Sequence, residues 1–270
     1  MKRCIFAIMA AMLLCGCSIK EEPDTLAVSF FDVGKADSFL MTCGGKNLLM
    51  DAGTAKDGKK VAKRLEDMGV ESIDYLMITH FDRDHAGGAA QIIEDFDVKT
   101  LLRPEYMKES DESAACMAAE KRGVEVSVIT EQTDIQLGST KLVIHPADKV
   151  YENDASNNSS LVTEVFHGNN SLLFTGDIEK ERIADIKYEL NDAGYDFLKV
   201  PHHGKYEKIL PEFFSLVGAQ SAVITSSEKN PEEQETIQAL EDAGVKDILL
   251  TRGGEITLQS DGRKLDFTQE

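Results

Sequence analysis

The stretch Thr79-His80-Phe81-Asp82-Arg83-Asp84-His85-Ala86-Gly87-Gly88 packs four candidate metal ligands, His80, Asp82, Asp84 and His85, into six positions. It follows the apolar run Ile73 to Ile78, which reads as a buried strand, and its double glycine opens a helical pattern. The ligands therefore sit at a strand's carboxyl end, where ligand sites of α/β folds gather. Alternation of His80, Asp82 and Asp84, with His85 adjacent, aims two pairs of donors in different directions, enough to begin two metal sites. Imidazole nitrogen and carboxylate oxygen suit zinc, manganese or iron better than magnesium or calcium. The bland alternative, a solvated acidic turn with incidental histidines, does not explain four donors at this spacing.

Upstream, Leu26 to Val33, Asp37 to Cys43 and Lys46 to Asp51 are strand-like runs broken by glycine turns, which predicts an antiparallel meander. Helical spacing at Lys59 to Met68, Gly87 to Phe96 and Glu112 to Arg122 then alternates with strand runs at Ile73 to Ile78, Val98 to Leu102 and Val124 to Ile129. The second half repeats this logic. Strand runs fall at Ile135 to Leu137, Lys141 to Ile144, Ser160 to Phe166, Ser171 to Phe174, Phe197 to Val200, Ala222 to Thr225 and Ile248 to Leu250. Helical runs fall at Glu179 to Leu190, Leu210 to Val217 and Glu232 to Ala243, and a hairpin around Asp261-Gly262 closes the chain. The pattern predicts one α/β domain over residues 26–270, two facing sheets each covered by helices, with internal pseudo-symmetry. Lys149 to Ser159 is the one long polar connection, and such loops are often functional.

At 270 residues and 42% hydrophobic content the chain can bury a sizeable core. Its formal charge of −19 favours metal cations over unassisted capture of polyanions, and no basic, aromatic-interleaved stretch offers a nucleic-acid track. Lys2 and Arg3 precede an apolar run from Ile5 to Leu14, too short to span a bilayer and suited to a signal core. The run ends in Leu14-Cys15-Gly16-Cys17, which resembles a bacterial lipobox with Cys17 as the lipidated residue. Processing there would remove residues 1–16 and leave the chain two units more negative, with Ser18 to Thr25 as a polar tether. The expectation from this lipobox is an extracytoplasmic protein held at the bacterial cell membrane by its N-terminal lipid, and no run of 18 apolar residues follows to suggest a transport channel. Cys43 and Cys116 remain, expected as free thiols, with a disulfide between them as the alternative.

The order His-x-Asp-x-Asp-His resembles the metal-binding signature of the metallo-β-lactamase superfamily, usually His-x-His-x-Asp-His, with Asp82 in place of the middle histidine. This variant is similar to the hydrolase domain of ComEC competence proteins. So, in order, are Phe31-Asp32-Val33-Gly34-Lys35-Ala36-Asp37-Ser38, Leu49-Met50-Asp51-Ala52-Gly53, Asn157-Asn158-Ser159-Ser160-Leu161, Phe174-Thr175-Gly176-Asp177 and Leu198-Lys199-Val200-Pro201-His202-His203-Gly204. Lys35 and Ala36 depart from the family opening, and the likeness covers residues 26–265.

The resemblance implies an αββα sandwich holding one or two divalent ions, Mn²⁺ or Zn²⁺, with Asp177 bridging them and at least one of His202 and His203 as a ligand. Asp51 is expected to orient a ligand histidine rather than bind directly. Asp32 and Asp37 stand open between loop structure and site support, and Asn157 and Asn158 fall where the superfamily has a further ligand histidine. Lys199 points away from Leu198 and Val200 if the strand alternates, and either reaches a substrate phosphate or forms a salt bridge. His145 and His167 are expected to be structural. The chemistry implied is hydrolysis by a hydroxide activated between two metals, with Asp82 or Asp84 taking the proton and a phosphoester, DNA included, as substrate. The missing histidine argues against β-lactam hydrolysis. A surface phosphodiesterase or phosphorylcholine-esterase-like enzyme on an envelope polymer or small phosphoester is the alternative, and a non-catalytic metal-binding lipoprotein is a third.

Overall fold

Strand alternation decides which side chains meet between the sheets. The computed structural model describes residues 24–107, 114–191 and 193–270, so the signal, Cys17 and most of the tether lie outside the described residues. In the first sheet, β1 (Leu26–Phe30), β2 (Phe39–Cys43) and β3 (Lys46–Met50) form the expected antiparallel meander. Parallel pairing then adds β4 (Ser72–Met77), β5 (Asp97–Pro104) and β6 (Glu125–Ile129). The second sheet begins antiparallel with β7 (Thr133–Leu137), β8 (Thr140–His145), β9 (Val162–His167) and β10 (Asn170–Phe174). It continues in parallel through β11 (Phe197–Lys199), β12 (Ser221–Ile224) and β13 (Asp247–Leu250). The closing hairpin, β14 (Ile256–Ser260) and β15 (Leu265–Gln269), crosses back to pair with β1 and completes the first sheet.

Leu26, Val28 and Phe30 of β1, Phe39 and Met41 of β2, and Leu172 and Phe174 of β10 face one shared core between the sheets. Their alternates, Leu40, Leu49 and Leu76, pack outward under α1 (Gly58–Asp67), α3 (Ala89–Asp95) and α4 (Ala114–Arg122). Leu173 and Leu198 do the same under α6 (Lys180–Ile186), α7 (Leu210–Val217) and α8 (Gln234–Asp242). The result is an αββα sandwich of two mixed sheets. Phe30, Phe39, Phe174 and Phe197 interlock across its middle with ring centroids 5.1–6.3 Å apart, each burial worth roughly 2–3 kcal/mol. Cys43 is buried, Cys116 half-buried, and the two are not joined by a disulfide.

Two local expectations change. The helix expected from Gly87 begins at Ala89, and a separate short helix before it, α2 (Arg83–Ala86), carries Asp84 and His85 on a helical turn. Asp82 starts it by accepting the backbone amides of His85 and Ala86 at 3.0 and 2.9 Å. Within the Lys149 to Ser159 connection, residues Ala155–Asn158 form another short helix, α5. Of the expected Glu112 to Arg122 helix, the first two residues lie outside the described residues.

The double glycine has a packing cause. A Cβ on Gly88 would stand 2.1 Å from the Ala52 carbonyl oxygen and 2.9 Å from the Gly58 Cα, so the backbones touch where α3 begins. Gly88→Ala is expected to cost about 3 kcal/mol in urea denaturation, the overpacking range for a contact with backbone that cannot swing aside. An alanine variant of wild-type stability would show that the loops are not in contact.

Candidate metal centre

Most of the site's loops leave the carboxyl end of a strand with a parallel neighbour. β3 delivers Asp51, β4 delivers Thr79 to His85, β10 delivers Asp177, β11 delivers His202 and His203, and β12 delivers Thr225. This is where open α/β sheets leave a crevice. Asp37, from the loop between β1 and β2, is fixed there by its amide on the Asp84 carbonyl at 3.0 Å and its carbonyl on the Gly53 amide at 2.8 Å.

The structure brings His80, Asp84, His85, Asp177 and His203 together, with Asp37 and Asp51 against them, in overlapping groups able to hold an ion. His85 Nε2 and His203 Nε2 each lie 3.2 Å from Asp177 Oδ2, and His203 Nε2 lies 3.5 Å from Asp84 Oδ2. Atoms bound at ~2.1 Å around one tetrahedral ion are ~3.4 Å apart, so this spacing fits a shared cation.

Hydrogen bonding fixes the tautomer of each imidazole. Asp51 Oδ2 accepts His85 Nδ1 at 2.7 Å, and Thr79 gives its hydroxyl to the same oxygen at 2.7 Å. The Thr79 oxygen can then only accept at His80 Nδ1, 3.2 Å away. Ser160 Oγ, 3.3 Å from that nitrogen, is likewise an acceptor because its proton goes to the Asn157 carbonyl at 2.7 Å. Thr225 gives its hydroxyl to Asp37 Oδ1 at 2.6 Å and accepts His203 Nδ1 at 2.9 Å. All three rings therefore hold their proton on Nδ1, and Nε2 of each is buried without a hydrogen-bond partner, as is Asp177 Oδ1. Lone pairs facing a carboxylate repel, and a cation is what satisfies them.

Electrostatics register the same demand. Burial alone would keep His85 and His203 neutral, but Asp177, helped by Asp51 and Asp37 at His85 and by Asp37 at His203, outweighs it and raises both pKa values. Burial, then the neighbouring His85, pushes His80 down to about 4. Burial opposes ionisation of Asp177, yet His203, His85 and Lys199 hold its pKa well below the carboxylate range.

The other sequence candidates take different places. Asp82 accepts a hydrogen bond from the Ser156 hydroxyl and stands in none of these groups. His202 also stays out: its Nδ1 is 2.8 Å from Glu179 Oε1, its Nε2 is 3.9 Å from Asp177, and it keeps 17% of its side chain exposed. His202 and His203 both adopt left-handed backbone, φ 46° and 54°, as does Asp51 at 57°, costly for side-chain-bearing residues and confined to this centre but for Asp154 among the described residues. Asn157 donates to Glu179 Oε1 at 3.0 Å, while Asn158 Oδ1 accepts the Glu179 and Arg182 amides at 2.9 and 3.3 Å and so caps α6. Asp32 lies at the surface, 3.6 Å from Lys60 Nζ. Lys199, fully buried, pairs with Asp37, sits 3.6 Å from Asp177 Oδ1 and donates to the Gly176 carbonyl at 3.2 Å, which makes it an ion-pair residue. His145 pairs with Glu164 at 2.9 Å and His167 bonds Ser260 at 2.7 Å, both away from the centre. Thr79, Ser160, Thr225 and Glu179 escaped the sequence reading as site residues. Thr79 opens the quoted stretch and Ser160 closes the Asn-Asn-Ser-Ser run, but a hydroxyl that fixes a tautomer leaves no spacing signature.

An αββα sandwich gathering imidazoles and carboxylates between the carboxyl ends of its sheets is a frame for metal-dependent chemistry. The chain belongs to the metallo-β-lactamase superfamily, whose family model matches residues 31–225 and whose members are mostly metal-dependent hydrolases. Among curated relatives, ComE operon protein 3 of Bacillus subtilis is 28% identical over 205 residues, 74% of this chain and 26% of that protein. Recombination protein 2 of Haemophilus influenzae is 27% identical over 241 residues, 85% of this chain and 28% of that protein. The chain thus spans about a quarter of the length of these relatives. Among solved structures it is similar to the metallo-β-lactamase fold protein YhfI of Bacillus subtilis, with a TM-score of 0.56 at 12% identity over 83% of this chain and 96% of that one. CmlA, a diiron β-hydroxylase from Streptomyces venezuelae, gives a TM-score of 0.53 at 13% identity over 92% of this chain and 54% of that one. At these identities the structures show a shared fold.

Proposed function

We propose that the chain is a metal-dependent phosphoester hydrolase of the phosphodiesterase or nuclease kind. The observation that carries this reading is the convergence on Asp177, beside the partly open Asp84, of three imidazoles whose buried Nε2 atoms have no hydrogen-bond partner. His80, His85, His203, Asp84 and Asp177 would hold one or two divalent ions, Mn²⁺ or Zn²⁺. Such ions supply an acidified water and offset charge on phosphoryl oxygens. The residues themselves do the rest. Asp84, with a third of its side chain exposed, is placed to take the water's proton, and Asp82, steadied by Ser156, is the second candidate. His202, with Nδ1 2.8 Å from Glu179 Oε1 and Nε2 3.9 Å from Asp177 Oδ2, keeps part of its ring exposed at the edge of the centre, where it can hand a proton to the leaving oxygen.

Relatives named for competence and recombination draw the substrate toward DNA. The charge of −19 pulls the other way, toward a short phosphodiester or an envelope phosphoester. The test incubates the whole chain, loaded with Mn²⁺ or Zn²⁺, with bis-p-nitrophenyl phosphate and with single- and double-stranded DNA. Chelator-sensitive cleavage is expected, and cleavage of neither substrate rejects the proposal. Cleavage of the small diester alone selects the envelope or small-phosphoester reading, and tight metal binding with no turnover selects a non-catalytic metal-binding protein. The reading includes anchoring at the outer face of the cell membrane through lipid on Cys17, supported by the charged, apolar and Gly16-Cys17 order of the N-terminus. Cys17→Ala is then expected to move the protein from the membrane fraction to the soluble one, and a variant that stays with the membrane rejects the anchor.

A further inference from the structure

The two sides of Asp177 are not built alike. On one side Asp84, His85 and His203 converge with it, at separations of 3.2, 3.2 and 3.5 Å between neighbouring ligand atoms. Each imidazole there is braced through Nδ1, His85 by Asp51 and His203 by Thr225, so the donors are oriented before any ion arrives. Four side chains are a full tetrahedral set.

On the other side His80 is the one imidazole added, and the group it forms, with His85 and Asp177, borrows both partners from the first. The nearby polar side chains add no third group of their own to it. Asp82 takes the Ser156 hydroxyl and joins no group of three. Where the signature's relatives carry a further histidine, this chain has the α5 turn, and each of its polar side chains already has a structural task. Asn157 donates to Glu179, Asn158 caps α6 through its carbonyl oxygen, and Ser159 gives its hydroxyl to the Ser156 carbonyl at 2.6 Å. Ser160 gives its proton to the Asn157 carbonyl at 2.7 Å and accepts the Asp177 amide at 3.1 Å.

We propose that the centre is unequal: one divalent ion is held tightly by Asp84, His85, His203 and Asp177, and a second is held weakly by His80 and Asp177. Oxygens of a bound phosphoester complete the second position, which thereby fills with substrate. This deepens the hydrolase reading and rests on it for the identity of the completing oxygen, but the inequality concerns the chain's own ligands.

The test is calorimetric titration of the chelator-stripped full chain with Mn²⁺, with elemental analysis after gel filtration. One ion per chain should survive filtration, and the second should bind at least ~100-fold more weakly. Inorganic phosphate, standing in for the phosphoester, should tighten the second ion and leave the first unchanged. His80→Asn should keep the retained ion and lose the weak one, while His203→Asn should lose the retained ion, with circular dichroism confirming that each is folded. Asp84→Asn makes the same test as His203→Asn at a more exposed position, should the latter fail to fold. Two ions of similar affinity, loss of the retained ion in His80→Asn, or a second ion indifferent to phosphate would overturn the proposal. One tight and one weak ion without phosphoester hydrolysis would remove the function and leave the inequality standing. Equal ions with ready hydrolysis would do the reverse.

Discussion

Asp177→Asn is expected to weaken Mn²⁺ binding by at least ~100-fold and, in the hydrolase reading, to lower turnover by roughly 10³-fold, in a protein that remains folded. The substitution keeps volume and shape and removes one negative charge at the point where His85 Nε2 and His203 Nε2 both lie 3.2 Å away. With that charge gone, the three Nε2 atoms face a neutral amide, whose NH2 can donate hydrogen bonds to them but which no longer offsets the charge of a divalent ion. Isothermal titration with Mn²⁺ and a phosphodiesterase assay on the same sample measure the two effects. Retention of wild-type affinity within about threefold would place the ion elsewhere.

The second large effect falls on stability. Lys199→Met is expected to destabilise the fold by about 3–5 kcal/mol, because removing one member of a buried ion pair leaves the other charge uncompensated. Lys199 and Asp37 are both fully buried. Asp37 keeps the Thr225 hydroxyl at 2.6 Å, but one hydrogen bond does not replace an ammonium ion. Asp37→Asn in the same background should therefore recover more than half of the loss, a positive coupling that a packing defect at Lys199 would not show. Urea denaturation of the single and double variants, stripped and loaded with metal, provides the cycle. A Lys199→Met protein of unchanged stability whose phosphodiester KM rises would instead return Lys199 to a role on substrate.

Much of this molecule can be read along the chain because its signals are local. Period-two alternation in Leu26 to Phe30 and Leu172 to Phe174, and helical spacing of Val61, Ala62 and Leu65, predict the layers correctly, since each needs only neighbours within a turn or a strand. The loop from His80 to His85 declares a metal site for the same reason: its donors are six residues long. The opening meander follows from its short turns and strand alternation.

The sequence by itself thus determined the sandwich, the superfamily resemblance and the ligand types, all written in short-range spacing. Tertiary structure decided which donors meet. His203 rather than His202 enters the cluster because Thr225, 22 residues away, braces its Nδ1 there, while Glu179 draws His202 to the rim. Asp82, equivalent to Asp84 in the motif, is drawn off by Ser156, 74 residues distant. Lys199 became a structural cation only when β11 lay beside β10 and its alternation aimed it at Asp37. The closing hairpin joined the first sheet rather than the second because its partner is β1, more than 200 residues earlier. Each of these choices is a contact between segments far apart in the chain, and no periodicity encodes such contacts, because they come into being only when both sheets close on one core.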